Sequence, residues 1–210
     1  MCIRDRSWEN GPSYGGDIFI TQFDSRWNPI KTVQVTSDRY YQDNPSIVYA
    51  DGRFYVAYTS RETGNLDIFV KKYDSYLNPL DTGRITYDSS NQDYPSLVWQ
   101  NREFALAYSS QERGSYDVYF ERFDQNWNSI EKVPATNMPG DQTWPSLTYN
   151  LIDGMYWVAY VSQEQEGWNI FVQPAEFSEQ TQNGYVVMDF SSSKAYHPYT
   201  LTAKFYNDQG

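Results

Sequence analysis

The sequence predicts an all-β chain built from a repeated unit, on three observations. Its 210 residues hold 20 Tyr, 11 Phe and 7 Trp against 8 Leu, a bias toward the aromatic and β-branched side chains that favour strands over helices. Pro45-Ser46-Ile47-Val48-Tyr49 recurs as Pro95-Ser96-Leu97-Val98-Trp99 and Pro145-Ser146-Leu147-Thr148-Tyr149, a period of about 50 residues of the kind produced by stacked supersecondary units. Short apolar runs are also separated by turn chemistry throughout.

One period reads as four strands, A to D. Strand A covers Ser46 to Tyr49, and Asp51-Gly52 turns the chain into B, Phe54 to Thr59, apolar at both parities and therefore buried on both faces. A loop from Ser60 to Leu66 leads into C, where Ile68 and Val70 point one way and Phe69 and Tyr73 the other, while Lys71 and Lys72 dilute the pattern. The turn Asp74-Ser75-Tyr76-Leu77-Asn78-Pro79 follows, with Asp as an acceptor for backbone amides and Pro fixing its own φ. Strand D is clearest in the strict alternation of Thr32-Val33-Gln34-Val35-Thr36, which marks a half-exposed strand. Four antiparallel strands, buried first and wettest last, fit a β-propeller blade with A near the axis and D at the rim. A β-sandwich or β-solenoid is the competing architecture.

The expected organisation is blade ends at 7–38, blades at 39–88, 89–138 and 139–190, and a partial blade at 191–210. Its roughly fifteen strands fall short of the roughly sixteen of a closed four-bladed ring, so the chain reads as a propeller fragment cut at both ends. Met1 to Arg6 fits no part of the repeat and resembles the translation of a sequencing adaptor, which sets it outside the fold. Without it the chain has no cysteine, and hence neither a disulfide framework nor a thiolate metal site.

Composition excludes some partners. Sixteen Lys+Arg against 27 Asp+Glu give a charge of −11, which argues against nucleic acid. No apolar run approaches the roughly 18 residues of a membrane helix. Acidity, tyrosine richness and the lack of authentic cysteine suit an extracellular, cell-surface or periplasmic protein.

The order Pro-Ser-x-Val-Tyr, an aromatic strand ending Ala57-Tyr58-Thr59-Ser60, then Gly64-Asn65-Leu66-Asp67-Ile68-Phe69 resembles the repeats of sialidase-like and TolB-like β-propellers from residue 14 to about 200. Sialidase-like repeats carry an Asp-box, Ser-x-Asp-x-Gly-x-Thr-Trp. Here Asp24 with Trp27 and Asp124 with Trp127 echo it, but its glycine and Thr-Trp ending are absent, as is an Arg-Ile-Pro segment. Five-bladed glycoside hydrolases are a second comparison, with catalytic carboxylates on or near the innermost strands.

In a propeller the D–A and B–C loops share one rim. That rim collects Tyr40, Tyr41, Asp43, Asp93, Tyr94, Asp141, Trp144 and His197 before the A strands, with Glu62, Glu112, Glu164 and Trp168 between B and C. Acids beside aromatic platforms suit carbohydrate, which offers hydroxyls to carboxylates and C–H faces to rings. Tyr41, Asp43, Asp93, Tyr94, Trp144, Trp168 and His197 are therefore the candidate ligand-binding residues. No catalytic residue is assigned, because Asp43 and Asp93 occupy equivalent places, whereas a glycosidase needs two carboxyls in distinct environments. Asp67 and Asp117 are expected to be inter-strand or loop hydrogen bonders.

The single histidine cannot build a three-histidine zinc site, and no EF-hand, P-loop or dinucleotide fingerprint occurs, so neither metal nor cofactor is expected. The primary expectation is a non-enzymatic propeller module that binds a protein or glycan. The alternative is a piece of a glycoside hydrolase or sialidase-like enzyme with its catalytic residues mostly in other blades.

Overall fold

Short strands of aromatic and β-branched residues pair with their nearest chain neighbours along the whole protein. The computed structural model describes residues 2–6, 16–164, 167–175 and 186–188. The strands are β1 (Cys2–Arg6), β2 (Asp17–Phe23), β3 (Pro29–Gln34), β4 (Gln42–Ala50), β5 (Arg53–Ser60), β6 (Asp67–Tyr73), β7 (Pro79–Arg84) and β8 (Gln92–Gln100). They continue as β9 (Glu103–Ser110), β10 (Asp117–Phe123), β11 (Ser129–Pro134), β12 (Gln142–Asn150), β13 (Met155–Glu164), β14 (Gly167–Pro174) and β15 (Val186–Met188). Three four-stranded antiparallel sheets, β4 to β7, β8 to β11 and β12 to β15, follow a three-stranded sheet of β1 to β3. The described residues contain no helix. This is the all-β propeller architecture, with each sheet a blade.

Cys2–Arg6, set outside the fold on sequence grounds, is placed as a strand against β2, with Ile3 opposite Ile20. It takes the place that B holds in the other blades, where the sequence analysis expected no strand. Strand addition requires only backbone donors and acceptors, so a segment outside the repeat pattern can still fill the edge.

The seams between blades form the core. One joins Tyr55, Ala57, Ile68 and Val70 of the β4–β7 blade to Leu106, Tyr108, Tyr119 and Phe123 of the next. The following seam joins Ala105, Ala107, Val118 and Phe120 to Leu147, Tyr156, Val158 and Phe171. The preceding one joins Ile18 and Ile20 to Val56, Tyr58, Phe69 and Tyr73. Each central strand is therefore buried on both faces, one per seam, which explains the apolar residues at both parities of B and C.

The inner strand is longer than expected, beginning at Gln42 rather than Ser46, and its register slips between Asp43 and Ser46, Asp93 and Ser96, and Thr143 and Ser146. This β-bulge puts Asn44, Tyr94 and Trp144 at positive φ, 54°, 56° and 51°, and redirects their side chains. Past the bulge the serine of the Pro-Ser pair joins neighbouring blades. The Leu97 amide donates to Ser46 Oγ (3.0 Å) and the Leu147 amide to Ser96 Oγ (2.9 Å).

Candidate functional site

The D–A and B–C loops meet on one rim and are joined by backbone bonds. The Arg61 amide donates to Tyr41 O, Gln111 to Asn91 O and Gln163 to Asp141 O. Across the seams, the Gln92 amide donates to Leu66 O and Gln142 to Tyr116 O, both at 2.7 Å. Gln42, Gln92 and Gln142 also bury their side chains completely at this rim. These glutamines recur at the same 50-residue period as the Pro-Ser pair, but their polarity hid their burial in the sequence.

Between the first two complete blades the rim holds a carboxylate cluster. Tyr41 Oη donates to Asp43 Oδ2 (2.6 Å), and the Asn44 amide donates to Asp43 Oδ1 (2.8 Å). The bulge swings Asn44 toward the next blade, where its Nδ2 donates to Asp93 Oδ1 (2.8 Å). The same oxygen accepts from Thr59 Oγ1 and from the Tyr94 amide, each at 2.8 Å. Asp93 is buried and Asp43 half-buried. Desolvation pushes the Asp93 carboxyl above the usual carboxylate range; its three donors oppose the shift and the Asp43 charge adds to it. Burial first, then the bond to Asp43, raises the Tyr41 hydroxyl well above its ordinary value. Tyr116 is pushed up to about 12 by burial and by the nearby Asp93.

At the next seam the equivalent position is Thr143, and the partner equivalent to Thr59 is Ser109. Both hydroxyls are buried without a hydrogen-bond partner. Here the bulge residues build an aromatic ledge. Tyr94 meets Trp144 edge-on with ring centroids 5.6 Å apart, and Trp144 lies 5.8 Å from Trp168. Trp144 and Trp168 are 51% and 52% exposed, so both rings stand on the surface rather than wedging the blades. One rim thus has a charged part and, beside it, an uncharged stacking part. Chemically, it offers carboxylates to hydroxyls and ring faces to C–H surfaces.

Several other acids at or near this rim have structural partners. Asp141 Oδ1 accepts the Tyr116 amide (2.9 Å). Asp67 Oδ1 accepts from Arg84 Nη2 (2.8 Å) and the Thr63 hydroxyl donates to its Oδ2, as expected of a loop hydrogen bonder. Asp117 accepts from Thr136 and lies 3.7 Å from the Arg113 guanidinium. Glu112 Oε1 pairs with Lys132 Nζ (2.6 Å). Glu62 is raised by burial and by the Asp38 charge. His197 lies outside the described residues, as does the side chain of Glu164. Among the described residues no group of three or more His, Cys, Asp or Glu side chains is placed to hold a metal ion, and no helix is long and apolar enough to cross a membrane.

No protein-family model matches the chain, and no curated protein sequence matches it. Solved structures do resemble it. A GH43 endo-arabinanase from Bacillus licheniformis is similar over 98% of this chain and 88% of its own, at 16% identity and a TM-score of 0.59. An alpha-L-arabinanase from Penicillium chrysogenum, complexed with arabinobiose, is similar over 90% of this chain and 75% of its own, at 15% identity and a TM-score of 0.57. A thermostable family-43 glycoside hydrolase matches over 70% of this chain at 16% identity and a TM-score of 0.54, and the match spans 52% of that enzyme, about half its length. At such identities the likeness is one of fold: this chain shares its propeller architecture with family-43 glycoside hydrolases.

Proposed function

We propose that the chain is a carbohydrate-binding β-propeller of glycoside-hydrolase type, with a glycan held at the rim by the Tyr94, Trp144 and Trp168 ledge and the Asp43 and Asp93 carboxyls. The observation that carries this reading is the divergence of two acids that are equivalent in sequence. Asp93 is buried, with three donors on one oxygen and a raised pKa, while Asp43 is half-buried against Tyr41. Glycoside hydrolysis needs two carboxyls in distinct environments. The structural likeness to arabinanases directs the first substrates to arabinan and arabinofuranosides. Export to the cell surface, periplasm or medium belongs to the same reading.

The second reading is a non-enzymatic module that binds a glycan or a protein through the D–A and B–C loops. It is favoured by the structural duties of Asp67, Glu112 and Asp141.

Hydrolysis of arabinan and of chromogenic glycosides, measured alongside glycan-array binding, separates the two. Turnover that falls at least about a hundredfold (about 2.7 kcal/mol of barrier) in Asp93→Asn and in Asp43→Asn, with binding retained, supports the enzyme. Glycan binding without turnover, lost in Trp144→Ala, supports the module. Neither turnover nor glycan binding removes carbohydrate from both readings and leaves a protein partner.

A further inference from the structure

The same β-bulge opens the inner strand of three successive blades, yet the side chain at its turning point meets a different partner each time. Asn44, Tyr94 and Trp144 hold the equivalent place, at φ 54°, 56° and 51°. A β-carbon makes this region of backbone space costly, and asparagine tolerates it better than either ring does. Tyr94 and Trp144 serve stacking there: Tyr94 meets the Trp144 ring across its seam, with centroids 5.6 Å apart, and Trp144 meets Trp168 at 5.8 Å. Asn44 instead carries its side chain to a carboxylate.

Asn44 donates twice, to two different acids. Its backbone amide donates to Asp43 Oδ1 and its Nδ2 to Asp93 Oδ1, each at 2.8 Å. The two acids lie in neighbouring blades a full repeat apart, so the backbone next to one does not fix the other. Tyr41 Oη further holds Asp43 (2.6 Å), while Thr59 Oγ1 and the Tyr94 amide hold Asp93 (each 2.8 Å). Each of these donors touches one acid, whereas Asn44 touches both. Its side-chain amide does not titrate, so the link persists whichever acid carries a proton. The separation of two carboxyls across a glycosidic bond sets which reaction they can perform, and a residue bonded to both controls that separation.

We propose that Asn44 is a positioning residue for this pair, fixing the Asp93 carboxyl relative to Asp43 so that both address one glycosidic bond. The proposal rests on the glycoside-hydrolase reading of the rim. Asn44 acts through the two acids rather than on the sugar. Loss of its Nδ2 bond leaves Asp93 held by Thr59 and the Tyr94 amide but loosens its orientation toward Asp43. It also removes one of the bonds that lower the pKa of the Asp93 carboxyl.

Asn44→Gly tests this with little disturbance of the bulge, because glycine adopts positive φ without strain and keeps the backbone amide that donates to Asp43. On arabinan and chromogenic arabinofuranosides, kcat is expected to fall about tenfold with KM held within about twofold. The limb of the pH–rate profile governed by Asp93 is expected to move to higher pH. Carbon-detected NMR titration of Asp93 is expected to move the same way, and it reads the link whether or not the protein turns over a glycan. Asn44→Asp keeps the side-chain shape and tolerates the same φ but replaces the donor with a carboxylate, so a larger loss and a larger shift in the same direction are expected; it serves as the second variant should glycine weaken the fold. A lowered urea midpoint with kcat and the pH–rate profile unchanged marks a merely structural bulge residue and overturns the proposal while the glycoside-hydrolase reading stands. An Asp93 titration that does not move in either variant also overturns it. An unaltered protein that turns over no glycan overturns the glycoside-hydrolase reading and the proposal with it.

Discussion

A single side chain separates two seams that the repeat makes equivalent. Asp93 satisfies the Thr59 hydroxyl, whereas Thr143 and Ser109 at the next seam are left without partners. Thr59→Val removes one of the bonds that restrain the Asp93 carboxyl, so its pKa is expected to rise further above the ordinary range, as read by carbon-detected NMR titration. The sign of the stability effect follows. A carboxyl whose pKa is higher folded than unfolded binds its proton more tightly in the native state, and its contribution declines as pH rises from the usual carboxylate range through the raised value. Asp93→Asn is accordingly expected to gain in stability relative to the unaltered protein on going from about pH 3 to about pH 7, a span that brackets the ordinary carboxylate pKa. Denaturation midpoints in urea measure it. Trp144 stands half-exposed on the rim, so Trp144→Ala is expected to change folding stability by no more than about 0.5 kcal/mol while weakening glycan binding.

At the scale of the element, turns and clips decide how well each blade is built. The A–B hairpin of one blade turns through Asp51 and Gly52, at φ 45° and 75°, and glycine adopts this region without strain. The next blade makes the same two-residue turn with Asn101 and Arg102, at φ 53° and 65°. Arginine has no such freedom, so Arg102→Gly restores the favoured Asn-Gly pair and is expected to stabilise by about 1 kcal/mol, seen as a raised Tm. The serine clip works in the opposite direction. Ser46→Ala leaves the Leu97 amide without its partner and is expected to cost about 1–3 kcal/mol, which equilibrium denaturation resolves. In the C–D turns, Asp24, Asp74 and Asp124 each accept two backbone amides and an asparagine side chain. These bonds hold the three carboxyls below the usual range. Their contribution to stability is therefore present above that range and is lost as pH falls below it through the lowered values.

Across the molecule, stability lies in the seams. Leu77 is buried between two blades and Trp127 stacks on Phe104 at 4.2 Å, with interplanar angle 13°. Leu77→Ala is expected to cost about 2–5 kcal/mol and Trp127→Ala about 3–5 kcal/mol, both measured by denaturant unfolding. In sequence Leu77 read only as a turn residue and Trp127 only as an echo of the Asp-box. Their packing role depends on which blade lies beside the turn, as does the contrast with exposed Trp27. The carboxylate cluster shows the same limit. Asp43 and Asp93 were legible as equivalent rim acids, and their equivalence argued against a catalytic pair. The difference arises because Asn44 and Thr59 reach across from one blade to the next, which no spacing along the chain records.

The sequence by itself determined the all-β class, the four-strand unit, the turns between strands and the rim to which the candidate residues belong. Period, parity and turn chemistry are local properties of the chain, and each was readable without coordinates. Only the tertiary structure decided the bulge that extends the inner strand, the serine clips, the buried glutamines and the unlike surroundings of Asp43 and Asp93. The serine clips and the unlike surroundings of Asp43 and Asp93 depend on contacts between blades about 50 residues apart. Burial and hydrogen bonding there are set by the neighbouring blade, so residues that repeat in sequence come to differ in exposure and partners.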